Sequence, residues 1–202
     1  MPDFLSIFPV FTIHGMVFRA NDSLLIYFEQ KLKVMSINRR NLLKAIPITG
    51  VIALIDHQQL MACVTTSDIE GPFYIPGSPV STQIASNGAP GTLLFITGSV
   101  YANDCTTPIP NAVVDVWHAS DAGGYEDEDY RGIVYTDGSG NYSYQTILPG
   151  KYLNGAQFRP RHLHYKVSAT GAGVLTTQIY FEGDTDIPAD PWACLLYTSP
   201  SP

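Results

Sequence analysis

Through residues 92–181 the apolar positions fall in short runs rich in Val, Ile, Thr and Tyr, separated by glycine, proline, asparagine and aspartate. That punctuation predicts strands rather than helices, because β-branched and aromatic side chains suit a pleated surface. Strands are expected over 92–101, 112–117, 133–135, 141–147, 159–167 and 174–181, with turns at 103–110 and 170–173. Residues 136–140, Thr-Asp-Gly-Ser-Gly, read as a hairpin turn with glycines available for positive φ. Residues 66–74 read as an extended entry arm, since the Gly71-Pro72 pair forbids a helix there. Residues 78–90 are loop, and 120–132 form a longer loop of the kind that often carries function. Short strands at this spacing predict an all-β domain, a two-sheet β-sandwich.

The stretches outside this pattern differ from it. Residues 1–34 are apolar without a clean period, and Met35 offers a better start, so 1–34 read as upstream translation rather than protein. From Met35, Arg39-Arg40 sit in a cationic head, and 45–55 form an apolar core of signal-peptide length, too short to span a bilayer as a helix. Residues 35–63 therefore read as a twin-arginine export signal. Leu60-Met61-Ala62-Cys63 resembles a lipoprotein cleavage box, which makes Cys63 a candidate lipid anchor, although polar residues 56–59 interrupt the fit. Export to the periplasm or cell surface is the expectation, with a cytoplasmic chain bearing a helical extension as the alternative. Residues 194–202 back-translate codon for codon into a transposon-type sequencing adaptor and read as artefact, leaving 64–193 as the domain.

Charge narrows the partners. The formal net charge of the 202 residues is −7, and the 11 lysines and arginines are scattered, so a nucleic-acid partner is excluded. Cys63, Cys105 and Cys194 suit neither a zinc ribbon nor a disulfide framework, and Cys105 reads as an exposed loop residue. The acidic run 126–129 reads as a solvated loop, and a homo-oligomer is a candidate assembly.

The candidate chemistry lies in Arg159-Pro160-Arg161-His162-Leu163-His164-Tyr165-Lys166-Val167. In a strand alternate side chains share a face, so His162 and His164 point one way while Leu163, Tyr165 and Val167 point the other. Alone, His-x-His is more often a pair of satisfied polar groups than a pair of ligands. Upstream, 148–152 reads as a turn presenting Tyr152, and Gly123-Gly124-Tyr125 presents another tyrosine. His118, after Trp117 in a strand, reads as structural.

Over residues 68–192 the chain resembles the intradiol ring-cleavage dioxygenases. The resemblance rests on Glu70-Gly71-Pro72-Phe73-Tyr74, residues 112–119, Gly123-Gly124-Tyr125, Tyr130-Arg131-Gly132, the Arg-Pro-x-His-x-His block and Thr177-Gln178-Ile179-Tyr180-Phe181. It implies an immunoglobulin- or transthyretin-like sandwich with one or two further strands after Trp192, and a non-haem Fe(III) enzyme. Such an enzyme opens a small aromatic diol with O2 between its hydroxyl-bearing carbons, giving a cis,cis-muconate-type diacid. Tyr125 and His162 resemble the equatorial metal ligands, and Tyr152 and His164 the axial pair, with Tyr152 also accepting a substrate proton. Arg159 resembles the residue that stabilises charge developing on the ring, and Gln178 its hydrogen-bonding companion. The ligand set suits the ion, since ferric iron is hard and favours anionic oxygen. The stretch before the domain is too short for the helical region of the catechol and hydroxyquinol branches, so the resemblance leans toward the protocatechuate branch or exported single-domain relatives. Two other classes stay open: a non-catalytic sandwich carrier, and a zinc or ferrous hydrolase that would need a carboxylate beside the histidines.

Overall fold

The computed structural model describes residues 65–125, 129–181 and 183–193, with the backbone of two strands ahead of them. The strands are β1 (His14–Val17), β2 (Ile26–Phe28), β3 (Leu93–Ser99), β4 (Val113–Trp117), β5 (Arg131–Tyr135), β6 (Asn141–Ile147), β7 (Leu153–Asn154), β8 (Gln157–Phe158), β9 (His162–Ser168) and β10 (Val174–Tyr180). The export signal of 35–63, Cys63, the acidic residues 126–128 and the tail 194–202 lie outside the described residues.

Two antiparallel sheets make the expected sandwich: β3-β6 faces β10-β9-β4-β5, and β1 and β2, from the stretch 1–34 that reads as upstream translation, add to the first sheet at the β3 edge in the order β2-β1-β3-β6. Alternation along each strand aims one face inward. Leu94, Ile96, Tyr142 and Tyr144 from the first sheet meet Val114, Val116, Val134, Leu163, Tyr165 and Val167 from the second. The Tyr144 and Tyr165 hydroxyls hydrogen-bond to each other inside this core, so each phenol has a polar partner away from water. Histidine 118 is buried at the end of β4, with Nδ1 against the Ala119 carbonyl at 2.7 Å and Nε2 against the Thr146 hydroxyl of β6 at 2.6 Å. It ties one sheet to the other, in keeping with its structural reading.

Two expectations need correction. Residues 136–140 do form a tight turn, with the Asp137 carboxylate accepting the N–H groups of Ser139 and Asn141. They do not close a hairpin, because β5 pairs with β4 and β6 pairs with β3, so the turn carries the chain from one sheet to the other. Val100, just past β3, donates its N–H to the Gly140 carbonyl at 2.8 Å, and a Cβ on Gly140 would stand 2.8 Å from the Val100 oxygen. Contact with the opposite sheet, not local turn chemistry, selects the crossover. Cys105 is half-buried and disulfide-bonded rather than a plain exposed loop residue.

The outer face of the second sheet is covered by the arm at residues 65–81, which crosses all four strands. Asp68 N–H bonds Thr176 O of β10 at 2.9 Å, and Glu70 takes Lys166 of β9 at 2.6 Å. Tyr74 donates to Asp115 of β4 at 3.1 Å, and Ile133 of β5 exchanges backbone bonds with Pro79 and Ser81. A sheet face that would otherwise be solvated is covered, and His162 and His164 lie buried on it, with Gly71 of the arm against the His164 ring.

Candidate metal centre

β9 alternates as its sequence requires, and both histidines are nearly sealed, at 3% and 2% exposure. In register, His164 lies between Gln178 of β10 and Trp117 of β4, while His162 lies beside Tyr180. The Trp117 indole stacks on the His164 ring at 4.8 Å between centroids and 6° between planes. His162 donates its Nδ1–H to the Pro160 carbonyl at 2.7 Å, which fixes the tautomer and leaves Nε2 with its lone pair. Burial, and then the charge of Arg159, press the His162 pKa down to about 4, and burial with the neighbouring His162 holds His164 well below the ordinary value. Both rings are neutral near pH 7, the state a metal ligand needs.

The two tyrosines reach this face from separate loops. Gly123, at φ +86°, lies against residues 150–152 so closely that a Cβ would fall 2.2 Å from the Lys151 carbonyl oxygen. On the facing side a Cβ at Gly150 would fall 2.3 Å from the Asp121 oxygen, and Ser120 O accepts N–H groups from both Gly123 and Gly150. Backbone therefore rests on backbone, and the side chains that follow, Tyr125 and Tyr152, meet edge to face with centroids 5.6 Å apart. The Tyr125 hydroxyl stands 3.2 Å from Nε2 of His162 and 3.2 Å from Nε2 of His164. Phe73 of the arm stacks on Tyr125 at 4.2 Å and meets Tyr152 edge-on at 5.2 Å. Burial raises the Tyr125 pKa and the Arg159 charge works against that rise, so ionising this phenol calls for a stronger cation in the site.

These residues fit a metal ion. Two neutral imidazole nitrogens converge on one phenol oxygen, and His164 Nδ1 is buried without a hydrogen-bond partner, so its neighbours do not commit the ring to any role but ligation through Nε2. An oxygen-rich set with two phenols suits a hard trivalent ion. Among the described residues no three His, Cys, Asp or Glu side chains gather to hold a metal.

Arg159 and Gln178 border the histidines. Arg159 N–H bonds Tyr152 O at 2.7 Å, closing the base of the β7–β8 hairpin, and its guanidinium is paired with buried Asp190 at 2.8 Å. Burial works against the Asp190 carboxylate, but hydrogen bonds from Arg159 and the Ala193 N–H more than offset it, so its pKa lies below the usual carboxylate range. Gln178 donates Nε2–H to Ile69 O at 2.8 Å, and its Oε1 lies 3.0 Å from the Tyr180 hydroxyl. The structure thus gathers Tyr125, Tyr152, His162 and His164, with Arg159 and Gln178 on the same side. Sequence reasoning did not single out Phe73, Trp117, Tyr180 or Asp190. The alternation of β4 could have placed Trp117 beside the histidines; nothing local marks Asp190.

A family model described as Dioxygenase matches residues 69–195. The chain belongs to the intradiol ring-cleavage dioxygenase family. Among similar members of this family, catechol 1,2-dioxygenase 2 of Acinetobacter lwoffii is 35% identical over 144 residues, 59% of this chain and 52% of that protein. Chlorocatechol 1,2-dioxygenase of Rhodococcus opacus is 32% identical over 154 residues, 62% and 60% of the two chains. The dioxygenase domain of a dioxygenase carbohydrate-binding protein fusion from Streptomyces sp. SirexAA-E superposes with a TM-score of 0.59 at 35% identity, over 63% of this chain and 80% of that one. The 3-chlorocatechol 1,2-dioxygenase of Rhodococcus opacus 1CP gives 0.58 at 29% identity, over 62% and 60%. This dioxygenase-family chain spans about half the length of the curated relatives it matches. Catechol and chlorocatechol names among these relatives stand against the expected leaning toward the protocatechuate branch.

Proposed function

We propose that the chain holds Fe(III) with Tyr125, Tyr152, His162 and His164 and uses O2 to cleave a catechol-type diol between its hydroxyl-bearing carbons, yielding a cis,cis-muconate-type diacid. The observation that carries this reading is the Tyr125 hydroxyl set 3.2 Å from both histidine Nε2 atoms, with both rings buried. When bound, the ferric ion supplies the positive charge that ionises the phenols and draws electron density from a catecholate. The protein does the rest. Pro160 and Trp117 hold the two imidazoles in place, and Phe73 walls off the tyrosines. Tyr152 accepts a proton from the incoming diol at its phenol oxygen, and Arg159 offers a fixed cation to charge developing on the ring. Both atoms of O2 end in the two new carboxyl groups, so no external reductant is needed. Turnover of catechol under 18O2 by the iron-loaded chain tests this: two labelled atoms in the diacid are expected, and oxygen uptake without ring opening would refute it.

We propose further that residues 35–63 direct export, with Cys63 as the lipid-bearing residue. Membrane fractionation of cells expressing the chain and its Cys63→Ala variant tests it; equal recovery in the soluble cytoplasmic fraction would refute it.

A further inference from the structure

We propose that Asp190 is the positioning residue for Arg159, fixing the guanidinium so that its Nη1 edge is the donor offered to the substrate. The inference rests on the function proposed above. Arg159 has five N–H groups, and three have protein partners: Nε to Asp190 Oδ2 at 2.8 Å, and Nη2 to Asp190 Oδ1 at 3.3 Å and to the Tyr180 hydroxyl at 2.9 Å. Among the described residues Nη1 makes no hydrogen bond. The guanidinium also lies over the Trp192 ring, 4.6 Å from its centroid. One edge, one corner and one face are therefore fixed, and the remaining edge is left for a ligand, on a guanidinium whose charge is felt by both histidines.

The carboxylate divides its work in a way that makes the idea testable. Asp190 Oδ1 accepts the N–H groups of Trp192 at 3.0 Å and Ala193 at 2.7 Å, which shapes the chain around it. Oδ2 serves Arg159. A buried ion pair adds little net stability over an apolar pair of the same shape, so stability alone gives no reason for placing one here, whereas orienting a fork of donors does. Tyr180 completes the anchor by accepting from Arg159 and lying within hydrogen-bond distance of Asp68 Oδ2 and Gln178 Oε1, each of which can take its single proton.

Asp190→Asn is the discriminating variant. Its carbonyl can keep both backbone N–H bonds while its amide nitrogen is set against Arg159 Nε–H, donor to donor, so the local chain is kept while the guanidinium loses its Nε anchor and is held only through Nη2. In the iron-loaded chain, kcat for catechol is expected to fall about 10- to 100-fold with KM changed less than about threefold, the pattern of an interaction made in the transition state. Iron content should be unchanged. Tyr180→Phe should lower kcat about three- to tenfold, and it carries the test if circular dichroism shows that Asp190→Asn does not fold. Added to Arg159→Gln, Asp190→Asn should cost less than about twofold more, because two residues acting as one unit are non-additive. In the metal-free, 15N-labelled chain the Arg159 Nε–H should exchange slowly in the wild type and fast in Asp190→Asn. Wild-type kcat in folded Asp190→Asn, or losses that multiply with Arg159→Gln, would overturn the proposal while leaving the dioxygenase reading intact. A wild-type chain that takes up iron but never opens catechol overturns both.

Discussion

The contact between the two glycine segments sets where Tyr125 lies relative to the other ligands, and Gly123→Ala tests this. The added Cβ would stand 2.2 Å from the Lys151 carbonyl oxygen and 3.0 Å from its carbon, both backbone atoms that cannot swing aside. An ordinary contact requires the two segments to part by about 1 Å, given carbon–oxygen approaches of about 3.3 Å. The new residue must also hold φ +86°, at about 1–2 kcal/mol for a non-glycine residue. Parting the segments weakens the bonds from Gly123 and Gly150 to Ser120 O, each worth about 1 kcal/mol. The total strain of roughly 2–4 kcal/mol falls on a loop outside the sandwich core, which can open locally and leave the sheets folded. The thermal midpoint should therefore fall modestly, while iron affinity falls about 10- to 100-fold, as when a supporting contact of a ligand is lost. Iron titration followed by absorbance, beside thermal unfolding of the metal-free chain, separates the two effects. Wild-type iron affinity in Gly123→Ala would refute the reasoning.

Phe73→Ala removes the ring stacked on Tyr125 and should cost at least the pair term of about 0.5–1.5 kcal/mol, read by urea unfolding, and should admit water to the tyrosines, read as faster deuterium exchange across residues 120–125. His118, whose burial presses its pKa down to about 4, stays neutral in the fold while the unfolded chain protonates near pH 6.5. Stability conferred by this residue is therefore fully present above about pH 6.5 and is lost as pH falls toward 4, by roughly 3 kcal/mol; urea unfolding at pH 7 and pH 4.5 should show the loss, and His118→Gln should lessen it. Lys151, Arg161 and Lys166 each face a carboxylate, which leaves no spare charge among these three for an anionic ring substituent. Catechol should accordingly exceed 3,4-dihydroxybenzoate in kcat/KM by at least about tenfold, and equal values would contradict this.

What could be read ahead of the structure followed from local rules. A period of two put His162 and His164 on one face and Leu163, Tyr165 and Val167 on the other, and the fold keeps that division because Leu163 and Tyr165 are core residues. With twelve tyrosines in the chain, no local rule chose Tyr125 and Tyr152; only the motif resemblance did. Residues 136–140 were legible as a turn but not as a crossover, because the partner of a strand is chosen by contacts such as those of Gly140 with Val100, far away in sequence. Asp190 pairs with a residue 31 positions earlier, and nothing near it in the chain announces a buried carboxylate. Trp117 was one step of reasoning away, since it shares with Asp115 the face of β4 that lies in register with β9.

The most direct measurement is the visible absorption spectrum of the iron-loaded chain before and after catechol is added. Tyr125 and Tyr152 bound as phenolates to Fe(III) should give a red-brown charge-transfer band that moves on addition of catechol and is absent from Tyr125→Phe/Tyr152→Phe. A folded, colourless protein that takes up no iron would contradict the account and leave the sandwich as a binding module.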